Sequence, residues 1–384
     1  MATPPGSPRD PAGFAPTSHG GNHFNLLRLM AAVAVLLSHG EYFYRLTLPV
    51  PFAGHTLGSL AVYCFFFISG YLVCQSWHRE PRWAGFWIKR IARIFPGLVA
   101  AVIFSVAVVG WLMTTWSSGR YWAEPATWVY LANNAAALAT ANALPGVFES
   151  NPFARSVNGS LWTIRYELLM YLLLSAAGWA GWTGRRWAYP AGAAAMAALW
   201  MWARGFSDTP KAPFASLTWL PAGLGELFNV VDVSAFGVMF LLGSSFAACR
   251  VRPGAWLAAL ACAGLVLAWA GQARWSVQIG VWTLVASGVF WAAHAGASRA
   301  SGWPHEDLSY GVYIYAFPIQ QAVTQISLSR GWSLSACLAA SLVLTLAMAA
   351  FSWFCVEKPG IRLGRRLVAR LASARAGPAR RAAC

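Results

Sequence analysis

The stretch FNLLRLMAAVAVLLSHGEYF, residues 24–43, decides how the chain is read. It is apolar almost throughout and long enough for a membrane-crossing helix, which needs ~20 residues. Two of its ionisable groups, Arg28 and His39, lie within the apolar part, ahead of Glu41 at its end. Such groups are costly against lipid, so they point into the protein and mark function. Eleven residues separate them, an offset of ~16 Å along a helix and about half the hydrocarbon thickness. One helix thus sets a guanidinium near one membrane face and an imidazole well towards the other.

Composition agrees. The 384 residues are 58% hydrophobic and only 10% charged, against about 25% charged in a soluble domain. The 22 tryptophans suit a protein with two interfacial aromatic belts. No period-2 pattern points to a barrel. The expected fold is all-α, a polytopic helical membrane protein. Seven cysteines form no CxxC pair and read as small apolar residues. Residues 1–23 are rich in Pro, Gly and Ser and are expected to be a disordered tail, with neither a cleaved signal nor a metal site at His19 and His23. Residues 24–366 form the transmembrane domain, and 367–384 a basic cytoplasmic tail.

Ten spans follow from apolar length: 24–44, 57–77, 94–113, 161–181, 187–203, 231–248, 255–271, 277–295, 308–326 and 334–356. The weaker segment 125–144, with Asn133 and Asn134, reads as an outer loop with an interfacial or re-entrant helix. With both termini cytoplasmic, twenty of the 28 Lys and Arg residues fall on inner segments and eight outside. The net charge of +16 is therefore a topology signal and not a nucleic-acid footprint.

Four further motifs carry polar groups. VYCFFFISGYLV, in the second span, places Ser69 and Gly70 where a neighbouring helix can approach. WIKRIARIFPGL brings Arg90 and Arg93 to one helix face, as topogenic charges or as a phosphate site. NGSLWTIRYELLMYLLL sets Ser160 and Trp162 before Glu167, which lies in the apolar run either as a structural ion-pair partner, with Arg165 or another helix, or as a catalytic group. HEDLSYGVYIYAFPIQQ holds Tyr310, Tyr313 and Tyr315, a candidate aromatic belt, with Pro318, Gln320 and Gln321 beyond them.

Taken together, LLRLMAAVAVLLSHG, FFFISGYLV, RIARIFP, SLWTIRYELLMY, LSYGVYIYAFPIQQ and FSWFCVEKPGIRL resemble, in order, the motifs of the acyltransferase-3 family of bacterial membrane acyltransferases. The resemblance covers about residues 24–366. It implies transfer of an acyl group, often acetyl, from cytoplasmic acyl-CoA to a hydroxyl of a surface or exported glycan or glycolipid, in the bacterial inner membrane. His39 is then the catalytic base, or itself takes the acyl group before passing it on, and Glu167 orients the imidazole. Arg28, Arg90 and Arg93 hold the donor, while Ser69, Gly70, Ser160, Trp162 and Tyr310 support the site. No metal or resident cofactor is required. The chain departs from the family pattern at Ala316, where many members carry His, and at Leu168, where many carry a second acid. A transporter or flippase of lipid-linked or small polar molecules is the alternative, because such proteins also place charges and Pro breaks mid-membrane.

Overall fold

The computed structural model describes residues 22–138, 141–205, 227–295 and 306–375, and it is helical with no strand among them. Arg9, His19, Lys211, Arg299 and Cys384 lie outside the described residues. In chain order the helices are α1 (Phe24–Tyr44), α2 (Leu57–Arg79), α3 (Trp83–Phe104), α4 (Ser118–Ala123), α5 (Pro125–Ala135), α6 (Trp162–Trp179), α7 (Ala188–Gly205), α8 (Val230–Ala248), α9 (Ala255–Ala270), α10 (Arg274–His294), α11 (Ser309–Arg330), α12 (Leu334–Ser352) and α13 (Lys358–Arg375). A π turn at Ser105–Gly110 carries α3 on to Met113, and another at Trp353–Glu357 joins α12 to α13. A π turn leaves a carbonyl without its helical partner. Here the Tyr121 hydroxyl of α4 donates to Val106 O at 2.9 Å.

Helices occupy all ten expected spans. Six are long and apolar enough to cross a membrane: α1, α2, α3 with its extension, α8, α10, and α12 continued into α13. The other four are shorter or more polar. Helix α9 has 16 residues, α6 contains Arg165 and Glu167, and α11 contains Gln320, Gln321 and Gln325. The segment 125–144 holds an 11-residue helix, α5, only ~17 Å long and too short to span.

Polar side chains set the helix starts. Thr56 accepts from Ser59 N to open α2, Asn229 from Val231 N to open α8, and Ser333 from Ala336 N to open α12. Large apolar side chains such as Leu172, Leu173, Val266, Val343 and Phe351 stay exposed on the bundle's outside, as a lipid-facing surface requires. Exposed tryptophans gather near helix ends. If successive spans alternate, Trp83, Trp179, Trp187, Trp256 and Trp291 fall on one side and Trp111, Trp202, Trp269, Trp275 and Trp332 on the other. The expected belt at the start of α11 is different, because Tyr313 and Tyr315 are buried and Tyr310 faces an internal cavity. Of the six described cysteines, Cys74 and Cys337 are buried while Cys249, Cys262 and Cys355 are exposed, so burial does not explain all of them.

The tightest crossing joins α2 and α8. A Cβ at Gly70 would stand 1.9 Å from Phe240 O, and one at Gly243 would stand 2.0 Å from Phe67 O. Ser244 Oγ donates to Gly70 O at 3.1 Å across the same crossing. Gly70 is therefore a packing residue, as its neighbourhood in the sequence suggested. Gly70→Ala should push the helices apart and cost ~1–3 kcal/mol or more, read as a lower Tm of the purified protein. Gly288→Ala is the control, since its Cβ would meet only Ala261 Cβ at 3.8 Å. Equal Tm values for the two variants would contradict the close crossing.

Candidate active site

Two cavities lie back to back in the bundle and share Val62 and Tyr313 as wall. The smaller, about 110 Å³, is lined by Arg28, Arg90, Arg93, Ser69, Glu167, Tyr171 and Tyr310 among others. The larger, about 790 Å³, is lined by His39, His55, Ser160, Trp162, Arg204 and Asp232 among others. Its wall comes from the C-terminal ends of α1 and α7, the N-terminal ends of α2, α8 and α10, and the turn between α9 and α10. The arginines of α1 and α3 come from the opposite ends.

In the smaller cavity two of the three expected donor-side arginines are already paired. Arg28 Nη1 and Arg93 Nη2 both donate to Asp307 Oδ2, at 2.5 and 2.6 Å. Arg93 also lies 3.7 Å from the fully buried Glu357. Ser309 donates to the other Asp307 oxygen from its hydroxyl, 2.5 Å, and its backbone N–H, 3.2 Å. Burial alone would raise the Asp307 carboxyl. The Arg28 and Arg93 charges and the Ser309 hydrogen bonds outweigh it and hold the group below the usual carboxylate range. Arg90 has no carboxylate partner among the described residues. Its Nε is buried without a hydrogen bond, and its guanidinium sits 5.7 Å from the Tyr171 ring centre and 5.8 Å from that of Phe86. Tyr310 supports the wall, donating to Ile94 O at 3.0 Å beneath the Arg93 guanidinium.

Glu167 belongs to this cavity. Ser69 Oγ donates to its Oε1 at 3.1 Å, and the Tyr171 hydroxyl donates to the same oxygen. The expectation that Glu167 orients the His39 imidazole is therefore corrected: the carboxylate is engaged beside the arginines, on the other cavity. Nor does it pair with Arg165, which donates to Leu138 O at 3.0 Å. The reason lies in packing. Ser69 of α2 faces α6 at that level, and Tyr171, one turn beyond Glu167, shares its face.

His39 stands on the larger cavity. Its ring packs edge-on against Phe317 at 5.1 Å and Phe43 at 6.0 Å, and its Nδ1 is buried without a hydrogen-bond partner. Gln320 is the polar side chain that bears on the imidazole, while its own Nε2 is held by Leu36 O at 2.9 Å. Ser160 and Trp162 line the same space, and Ser160 Oγ is also buried without a partner. Gln321 donates to Phe153 O and Ser156 O, at 2.7 and 2.6 Å, and so fixes the preceding loop to α11. His39 lines this cavity, the position that a general base for a ligand hydroxyl would need.

Sequence reading missed Asp307, Glu357 and Tyr171. Only Tyr171 left a trace, its i+4 spacing from Glu167. Asp307 lies 279 residues from Arg28, and no local pattern joins them.

A cavity lined by guanidiniums and one lined by an imidazole thus adjoin inside a bundle of apolar helices. The family model for acyltransferase 3, described as an acyltransferase domain, matches residues 22–356, and the chain belongs to that family. An O-acetyl transferase of Shigella phage Sf6 is 29% identical over 350 residues, covering 88% of this chain and 96% of the relative. Nodulation protein 10 of Rhizobium leguminosarum bv. viciae is 30% identical over 384 residues, covering 91% and 95%. No solved structure matches. The chain is thus an O-acyltransferase of a membrane family, and the transporter alternative is set aside.

Proposed function

We propose that the protein carries an acyl group, acetyl by preference, from cytoplasmic acyl-CoA to a hydroxyl of a cell-surface or exported glycan or glycolipid, as a ten-span bacterial inner-membrane protein with both termini inside. The observation that carries this reading is the pair of cavities sharing Val62 and Tyr313, with guanidiniums on one and His39 on the other. In this reading the acylated end of the donor enters the smaller space and the acceptor occupies the larger.

Arg90, without a carboxylate partner, meets the anionic donor and sets its phosphates. Arg28 and Arg93, locked on Asp307, shape that wall and add positive potential. Glu167, with Ser69 and Tyr171, orients the thioester end. The His39 imidazole removes the acceptor proton as the hydroxyl oxygen attacks the thioester carbon. The C–S bond then breaks, and the imidazolium returns its proton to the departing sulfur. Direct transfer needs no acyl-enzyme.

Sidedness tests the scheme. Radiolabelled acetyl-CoA offered to inverted inner-membrane vesicles should label acceptor in proportion to the protein present. Intact right-side-out vesicles given the same donor should stay unlabelled. Labelling of right-side-out vesicles alone would place the donor site outside and overturn the reading.

A further inference from the structure

The larger cavity carries charge that a neutral acceptor would not use. Arg204 and Arg274 both line it, and neither has an ion-pair partner among the described residues. Arg204 is half-buried, its Nε is shielded from solvent without a hydrogen bond, and its guanidinium lies 5.7 Å from the Trp200 ring centre. Asp232 is the one acidic side chain among the described lining residues. His55, on the α1–α2 loop, is pushed down to about 4, by burial first and then by the Arg204 charge, so it adds no positive charge near neutral pH. The wall therefore keeps a positive balance. Trp162 and Trp200 line the same space, and the volume of about 790 Å³ lies in the range of pockets that enclose a whole ligand.

We propose that the larger cavity binds an anionic saccharide: sugar rings lie along Trp162 and Trp200, an oxyanion rests on Arg204 and Arg274, and the hydroxyl to be acylated reaches His39. This rests on the reading of that cavity as the acceptor site. Arg presents a planar fork that pairs with both oxygens of a carboxylate or phosphate. A neutral sugar would cover two guanidiniums without satisfying their charge, which selects against it. The carboxylate of an acidic sugar and the phosphate of a glycosyl phosphate share this chemistry.

The test uses the full-length protein in lipid nanodiscs and three probes: methyl glucuronide, glucose 1-phosphate and methyl glucoside. Affinities are read by saturation-transfer NMR. At least one anionic probe should bind ~10- to 150-fold tighter than the glucoside, the range for one charge-assisted contact. Arg204→Gln should erase that preference, and Arg204→Lys should keep part of it. Arg274→Gln, at an exposed position that folding does not depend on, should weaken the same preference. The glucuronide leading assigns a carboxylate, and the phosphate leading assigns a phosphoryl group. Equal binding of all three, binding of none, or a preference unchanged in Arg204→Gln and Arg274→Gln overturns the proposal. Failure of the underlying reading looks different, since acyl transfer would then survive in His39→Ala whatever the probes do.

Discussion

His39→Ala should lower the kcat of acyl transfer by ~10²- to 10⁴-fold, the usual contribution of a general base, with the KM for acyl-CoA little changed. In barrier terms this is ~2.7–5.5 kcal/mol. The variant should still fold. His39 Nδ1 has no hydrogen bond to lose, and Gln320 keeps its own bond to Leu36 O. The removed ring leaves space only within a cavity that is already about 790 Å³, so no sealed void is created. Alanine also suits a helix better than histidine. The measurement is acyl transfer by purified protein whose Tm matches the wild type. Full turnover in such a preparation would remove His39 from the mechanism.

A second large effect is expected on the proposed donor side, where Arg28 and Arg93 pair with Asp307 and Arg90 has no such pair among the described residues. Arg90→Ala should raise the KM for acyl-CoA ~10- to 150-fold, one charge-assisted contact, without lowering Tm, because no carboxylate loses a partner. Asp307→Asn should act through stability, since Arg28 and Arg93 would be left unbalanced in a largely buried place. Removing one member of such a cluster costs ~3–5 kcal/mol. Arg93→Lys falls between the two. A single ammonium cannot hold both Asp307 and Glu357 as the fork does, so Tm should fall more than donor affinity. Because the Asp307 carboxyl is held below its ordinary value, its stabilisation is present above the unfolded value of about 3.9 and is lost as pH falls through the folded one. The Tm loss in Asp307→Asn should accordingly be the same at pH 6 and pH 8. An unchanged KM in Arg90→Ala would reject its contact with the donor, and an unchanged Tm in Asp307→Asn would reject the clasp.

The same cluster shows how far sequence reading reaches. Helical spacing puts Arg90 and Arg93 on one face, the family resemblance adds Arg28 to them, and the three do line one cavity. Their inequality was invisible. It depends on Asp307, 214 residues from Arg93, whose place in HEDLSYG says nothing of which guanidinium it will meet. Glu167 was legible as an ionisable group in an apolar helix, but its partner was misjudged. The span's direction put it towards the His39 side, and only the packing of α2 on α6 brings Ser69 to it.

By itself the sequence determined the class. Unbroken apolar length, scarce charge and the side preference of Lys and Arg make a helical membrane protein, because lipid tests every residue of a span against one solvent. The non-spanning character of 125–144 and the seat of His39 on an apolar segment follow from the same local rules. The tertiary structure alone decided which charges neutralise one another, which arginine stays available, that Gly70 serves a helix crossing, and that two cavities meet at Val62 and Tyr313. These are relations between residues far apart in the chain. Their energies arise from distance and burial in the folded bundle, which hydropathy and periodicity do not contain.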